Sequence, residues 1–159
     1  MINDGGLIRR IGVVPIRPFT FRATDVMVRG VNRDGVKIGW LGDDFLRLFG
    51  DAEEQIGEAG LVVRRLQRRA LDVDLLAAMP DGFRTARVGQ LYRAVQQQPR
   101  GESGRISSCF PNVTFKYVGG VPWSVVVEWR REGWLFAAYR AASGNPFERP
   151  RGTQLLTSR

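Results

Sequence analysis

The sequence contains no histidine and only one cysteine, Cys109, in 159 residues. Histidine is the commonest general base and metal ligand at neutral pH, so its absence removes the usual route to acid–base or zinc chemistry. Cys109 also lacks the histidine that normally activates a cysteine nucleophile, and we interpret it as a buried or inert side chain. We therefore predict no catalytic residue, no metal and no cofactor. An enzyme of unrecognised type ranks third among the functions considered below.

Long apolar runs are also missing, and none approaches the roughly 18 residues of a membrane span. The arginines at positions 9 and 10 precede a run interrupted by prolines, unlike a secretory signal peptide. A lone cysteine excludes an internal disulfide framework and is typical of a reducing compartment. We expect a cytoplasmic protein with no membrane partner. The length predicts one domain over residues 1–159, with residues 1–20 as a loose N-terminal arm or an edge segment.

Lysine is scarce, because arginine supplies 22 of the 24 basic residues. The formal net charge is +8, although residues 43–60 hold six acidic side chains and one basic one. A basic body with one acidic segment could attract polyanions such as nucleic acid, or could pair with itself. GC-rich coding would also enrich arginine and is the alternative explanation of the arginine content.

Three runs rich in β-branched and aromatic residues lie between residues 112 and 142. Turn signals at 119–120 and 131–133 separate them, which predicts an antiparallel three-stranded meander. A three-residue first loop would pair Phe115 with Val125, and a four-residue second loop would pair Trp129 with Trp134. With this register one face collects the large apolar side chains: Val113, Phe115, Tyr117, Trp123, Val125, Val127, Trp129, Trp134, Phe136 and Ala138.

An amphipathic helix is predicted over residues 85–98, because Val88, Leu91, Tyr92 and Val95 form one helical stripe. Thr85 is its expected N-cap, and the stripe should cover the apolar face of the meander. The predicted fold class is therefore α+β, an antiparallel sheet covered by one or two helices.

The rest of the chain gives weaker signals. Residues 21–31 and 36–41 are predicted strands joined by a turn at 32–35, and residues 51–60 an acidic loop. The sequence also predicts a short helix capped by Asp43 or Asp44, and a helix at 72–79 ended by Pro80. Residues 61–67 are predicted as a strand, with a helix as the alternative because Val62, Leu66, Arg69 and Val73 also form a helical stripe. The run Leu155-Leu156 is expected to add an edge strand.

Several segments resemble a group of small bacterial proteins, known mainly from metagenomic and candidate-phylum genomes, to which no activity is assigned. The order and spacing of the matching segments agree over about three quarters of the chain, from Val36 onward. The segments are KIGWLGDDFLRLFGDAEEQIGEAGL (37–61), QLYRAVQQQPRGESG (90–104), NVTFKYV (112–118), VVVEWRREGW (125–134) and GTQLLTSR (152–159). The resemblance implies one compact domain. It carries over no catalytic or binding residue.

The densest basic cluster is Arg64, Arg65, Arg68 and Arg69. Clustered arginines bind phosphates, although a solvated face is the commoner role of such a run. The four tryptophans are expected mainly in the core, with base stacking as the alternative. The leading hypothesis is a non-catalytic module that binds RNA or single-stranded DNA weakly and without sequence preference. The alternative is a protein–protein interaction module that uses the acidic segment or a sheet edge.

Overall fold

The computed structural model describes residues 6–79, 83–141 and 148–159, and the elements below are those of this part of the chain. The helices are α1 (Ala23–Val26), α2 (Asp43–Phe49), α3 (Asp72–Ala78) and α4 (Val88–Gln96). The strands are β1 (Ile8–Ile16), β2 (Phe19–Phe21), β3 (Gly30–Val31), β4 (Lys37–Leu41), β5 (Glu54–Ile56), β6 (Ala59–Leu66), β7 (Ala70–Leu71), β8 (Arg84–Thr85), β9 (Asn112–Val118), β10 (Val121–Arg130), β11 (Gly133–Arg140), β12 (Glu148–Arg149) and β13 (Gln154–Ser158).

The predicted α+β class, a small antiparallel sheet under one or two helices, is wrong. Of the described residues, 46% lie in strands and 19% in helices, so the fold is mostly β. The main sheet runs β1-β6-β13-β9-β10-β11-β4-β3, with β8 beside β13. It is mixed, because β4 runs parallel to β11 and β13 parallel to β9. The prediction recognised the meander and missed that strands from both ends of the chain extend it.

The meander itself is confirmed as β9, β10 and β11. Its second hairpin has the predicted register, with Trp129 opposite Trp134. The first hairpin is one residue out of the predicted register, because Phe115 pairs with Ser124 instead of Val125. The reason is the turn: Gly119 and Gly120 have φ of 58° and 79°, as both central residues of a two-residue type I′ turn require.

This shift of one residue places apolar side chains on both faces of the sheet. Val125 and Val127 face one side, which α4 covers, and Val113 and Phe115 face the other, where α3 packs. A strand buried on both faces needs apolar residues at successive positions, which explains the run from 125 to 127.

The α4 helix buries the predicted stripe of Val88, Leu91, Tyr92 and Val95. It begins three residues later than expected, because Thr85 belongs to β8 and pairs with Thr157 instead of capping the helix. The backbone amide of the cap residue Arg87 donates instead to Gln90 Oε1 at 2.9 Å.

The two ends of the chain differ most from expectation. Residues 8–16, expected in a loose arm or an edge segment, form β1, which pairs with β6 at one edge of the main sheet. The run Leu155-Leu156, expected at a sheet edge, lies in β13 between β6 and β9, with both side chains buried.

Among the weaker secondary-structure predictions, some are confirmed and others are wrong. The short helix is present, but its cap is Gly42 and not Asp43 or Asp44, which lie in its first turn. The strand at 61–67 and the helix from Asp72 are confirmed. Residues 21–31 are no single strand, because α1 interrupts them, and residues 51–60 contain β5 and the start of β6. Pro80 and the predicted end of the meander at Ala142 lie outside the described residues. None of the described helices is long and apolar enough to cross a membrane.

Candidate functional site

Arg64 and Arg65, half of the predicted basic cluster, lie at the end of β6 and point to opposite faces of the sheet. Arg65 is exposed on the face that carries the buried Val63, the face covered by α4. Arg64 is on the other face, where its Nη1 donates to Thr157 Oγ1 at 2.8 Å. One contact surface for a ligand therefore cannot include both side chains.

Arg68 and Arg69 lie in the turn between β6 and β7, and both are exposed. An Arg69 Nη1 atom is 4.0 Å from Glu148 Oε2, at the limit of an ion pair. The structure therefore spreads the four predicted residues over three places. Of the four, Arg65 lines two adjoining cavities.

The two cavities together form a depression that we call the basic groove. It consists of two adjoining cavities of about 580 and 370 Å³, which share Ile11, Arg65, Gly104 and Gln154 in their walls. Volumes of this size are typical of ligand sites in proteins.

Three strands that lie far apart in sequence form the floor of the basic groove. Arg9 of β1 is directly opposite Arg65 of β6, which in turn is opposite Gln154 of β13. Directly opposed residues share a face, with Cβ atoms about 4.5–5.5 Å apart in antiparallel pairs. Two residues further along the same face, Val63 and Leu156 are buried in the core under α4. The groove therefore begins on this face of the sheet where α4 no longer covers it.

The wall of the groove is the connection from α4 to β9, and the buried Gln98 side chain fixes its first half. Gln98 Nε2 donates to the backbone oxygens of Glu102 and Ile106 at 3.0 and 3.1 Å. The Ile106 backbone amide donates back to Gln98 Oε1 at 3.2 Å. One amide side chain thus replaces the ladder bonds that this irregular segment lacks.

Asn112 and Ser107 fix the second half of the wall. The Ser107 backbone amide donates to Asn112 Oδ1 at 2.9 Å, and Asn112 Nδ2 donates to the Ser107 backbone oxygen at 2.9 Å. Ser107 Oγ accepts the backbone amides of Cys109 and Phe110 at 3.1 and 2.8 Å. Because each of these bonds is internal, the wall is ordered without a ligand.

Positive charge dominates the basic groove. Arg9, Arg65 and Arg151 line its larger cavity, and Arg105 lines the smaller one. All four are exposed, and Arg105 is held in place by donating to the Val13 backbone oxygen at 2.9 Å. No described carboxylate lines the groove or forms an ion pair with any of the four. The groove therefore presents a positive potential to solvent.

An exposed aromatic ring stands at the rim. Phe110 is 40% exposed, and its ring packs on Gly152, where a Cβ atom would come within 2.8 Å of the ring. The adjacent Cys109 is also exposed, so the interpretation of a buried thiol is wrong. The burial of free cysteines is a compositional tendency, and here the turn built on Ser107 directs the side chain outward.

Sequence reasoning identified Arg65 and missed Arg9, Arg105, Arg151, Phe110 and Gln154. No local signal connects these residues, because only the pairing of β1, β6 and β13 brings them together. The described residues contain no cluster of acidic or cysteine side chains able to hold a metal. The four arginines that line the groove suit it to bind anions.

A second exposed aromatic surface lies towards the opposite edge of the main sheet, where β4 is five strands from β6. Trp40 of β4 and Tyr139 of β11 are 48% and 41% exposed, and they line a cavity of about 380 Å³. The Arg29 guanidinium lies 5.1 Å from the centre of the Trp40 ring. We call this the Trp40 surface. The other tryptophans are buried or half-buried, mainly in the core as expected.

A comparison of the chain with protein-family models, curated proteins and solved structures finds no match. The resemblance to the bacterial group described above therefore stays a prediction.

Proposed function

We propose that this protein is a non-catalytic module that binds single-stranded nucleic acid weakly and without sequence preference, with the basic groove as its contact surface. The observation that carries the proposal is the convergence of four arginines, Arg9, Arg65, Arg105 and Arg151, on one depression that no described carboxylate lines. Four like charges held together repel each other and favour a polyanion as ligand.

The guanidinium group suits this ligand, because its planar fork of N–H donors matches the oxygens of a phosphate. The ordered wall adds to the affinity, since little of the groove must be fixed when the ligand binds. The guanidinium groups are exposed and reach backbone phosphates. They therefore carry no base-specific readout, and weak, sequence-independent binding is expected.

Phe110 supports a single-stranded ligand over a duplex. A base that has left the duplex stack can pack on an exposed aromatic ring, and such contacts contribute about 1–3 kcal/mol each. The ring is at the rim of the groove, next to the arginines that would hold the backbone. Phosphate contacts beside one stacking platform are typical of single-strand binding surfaces.

The test is a fluorescence polarisation titration with a labelled oligonucleotide at two salt concentrations, about 50 and 200 mM. Four phosphate contacts predict a slope of log K against log salt of about −3, hence about a 50-fold loss of affinity over this range. The variant Arg65→Ala with Arg151→Ala removes two contacts and should reduce the slope to about half.

The matched control is Arg68→Ala with Arg69→Ala, which removes the same charge from exposed residues outside the groove. The control should bind nearly as the parent protein does. Equal losses in the two variants would mean that net charge, and not the groove, causes binding. No binding at the lower salt concentration would overturn the proposal.

The Trp40 surface favours a second candidate function, an interaction with another protein. Exposed aromatic and arginine side chains are enriched at protein interfaces, and Trp40, Tyr139, Arg29 and Arg130 all line this cavity. Such binding would depend little on salt, and Trp40→Ala would weaken it without affecting oligonucleotide binding.

A further inference from the structure

Arg9 and Arg65 face each other directly across β1 and β6, on the floor of the basic groove. Both side chains are exposed, and no described carboxylate forms an ion pair with either of them. Like charges directly opposite each other in a sheet are destabilising, because their Cβ atoms are only about 4.5–5.5 Å apart. An anion bound between the two guanidinium groups would remove this repulsion. The pair therefore points to an anionic ligand at this position of the groove.

Gln154 of β13 continues the row and adds a third donor. It is directly opposite Arg65 and lines both cavities, although the residue is only 4% exposed. Its Oε1 atom is fully buried, so the part of the amide that reaches the groove is the Nε2 donor. Neighbouring strands are about 4.7–4.9 Å apart, so the three side chains are close enough to bind the oxygens of one phosphate. We call Arg9, Arg65 and Gln154 the donor row.

The donor row ends at the wall of the groove. The next residue along it is Asn112 of β9, which pairs with Gln154 and is buried where it binds the backbone of Ser107. Towards Val63 the same face of the sheet is covered by α4. The donor row therefore lies in a corner of the groove that is closed on two sides. Such a corner suits the end of a strand better than a strand that passes through.

A terminal phosphate also matches the charge of this corner. A phosphodiester carries one negative charge, whereas a phosphomonoester carries about 1.5 to 2 at pH 7 and has a third free oxygen. The donor row supplies two positive charges and enough N–H donors for three oxygens. We propose that Arg9, Arg65 and Gln154 bind the terminal phosphate of a single-stranded nucleic acid. This inference rests on the proposed function, and it makes the basic groove a site for phosphorylated strand ends.

The experiment compares labelled oligothymidines of about twelve nucleotides by fluorescence polarisation at low salt and about pH 7.5. One strand carries a 5′-phosphate, one a 3′-phosphate and one neither, with the fluorophore on an end that has no phosphate. A fourth strand has no terminal phosphate and is two nucleotides longer, so its extra diesters equal the charge of one phosphomonoester. We expect the 5′- or the 3′-phosphorylated strand to bind about tenfold more tightly than both strands without a terminal phosphate, as one more hydrogen bond between charged groups would give. The tighter of the two identifies the end that the groove accepts.

Two variants locate the effect within the groove. Arg9→Ala removes one charge from the donor row and should abolish most of the preference for the phosphorylated strand. The matched control Arg105→Ala removes the same charge from the smaller cavity, and should weaken the binding of every strand while the preference stays about tenfold. Both side chains are exposed, so neither change opens a cavity in the core. An equal preference in the two variants would overturn the assignment to the donor row.

The pH dependence is a second readout. A phosphomonoester loses its second charge below its pKa of about 6, so at about pH 5 it resembles a diester in charge. The protein contains no histidine, and no described carboxylate lines the groove, so its arginines keep their charge over this range. The preference should therefore nearly disappear at the lower pH. An unchanged preference there would contradict the recognition of a doubly charged phosphate.

Equal affinity for the phosphorylated strands and the longer strand of equal charge would overturn the inference, because total charge would then explain binding. The proposed function would survive that result, since strands without a terminal phosphate still bind. Failure of all the strands to bind would overturn the proposed function itself.

Discussion

Gly101, at the start of the groove wall, gives the sharpest test of the packing. Its φ is +71°, and a Cβ atom there would lie 2.1 Å from Cδ2 of Trp129. The change Gly101→Ala therefore combines two costs. A left-handed alanine costs about 1–2 kcal/mol, and forcing a methyl group into a filled space costs about 1–3 kcal/mol more.

The chain offers a control that separates the two costs. Gly119, in the hairpin turn, has φ +58°, and a Cβ atom added there would have no described atom within 4 Å beyond its chain neighbours. Gly119→Ala should lose only the backbone part, about 1–2 kcal/mol, against about 2–5 kcal/mol for Gly101→Ala. Urea denaturation of both variants measures the difference in free energy of unfolding.

A third variant completes this test, because Gly101→Ala combined with Trp129→Ala removes the clash. Trp129→Ala should therefore lower the free energy of unfolding less in the Gly101→Ala background than in the unmodified protein. The double-mutant cycle measures this coupling. Equal losses for Gly101→Ala and Gly119→Ala would refute the contact between the wall and the Trp129 ring.

Two further predictions concern side chains of the core. Trp129→Ala should cost about 2–3 kcal/mol, less than the 3–5 kcal/mol of a fully buried aromatic, because Trp129 is half-buried; thermal melting checks this. Burial, with a hydrogen bond to Asp34, raises the pKa of Tyr92 above its ordinary value of 10.0. The neutral hydroxyl thus stabilises the fold fully below about pH 10, and that contribution is lost as the pH rises further. Tyr92→Phe should lose about 1–3 kcal/mol at pH 7 and show a shallower decline above pH 10, which denaturation at the two pH values would detect. A parallel decline in both proteins would contradict the assigned burial of the hydroxyl.

Sequence patterns predict the local parts of this fold well. The stripe of Val88, Leu91 and Val95 requires only helical periodicity, and the Trp129–Trp134 pair requires only a short turn and strand parity. The first hairpin fails because two adjacent glycines fit loops of two or of three residues equally well. That single choice decides which side of the sheet Phe115 faces.

The candidate site could not be predicted in the same way. Arg9, Arg65 and Gln154 become neighbours only through the order and register of β1, β6 and β13, which no short sequence window contains. Arg64 and Arg65 illustrate the converse, because neighbours in the sequence of a strand point to opposite faces. Clustering along the chain is therefore a poor guide to clustering in space within a sheet.

Cys109 allows the most direct test of where nucleic acid binds, since it is the chain's single cysteine, is exposed and lines the basic groove. The measurement is the rate of its alkylation by the uncharged reagent N-ethylmaleimide, with and without a saturating single-stranded oligonucleotide. We predict that the bound strand slows alkylation and that salt sufficient to release the strand restores the rate. An unchanged rate while polarisation reports a fully bound oligonucleotide would place the ligand elsewhere and contradict the account.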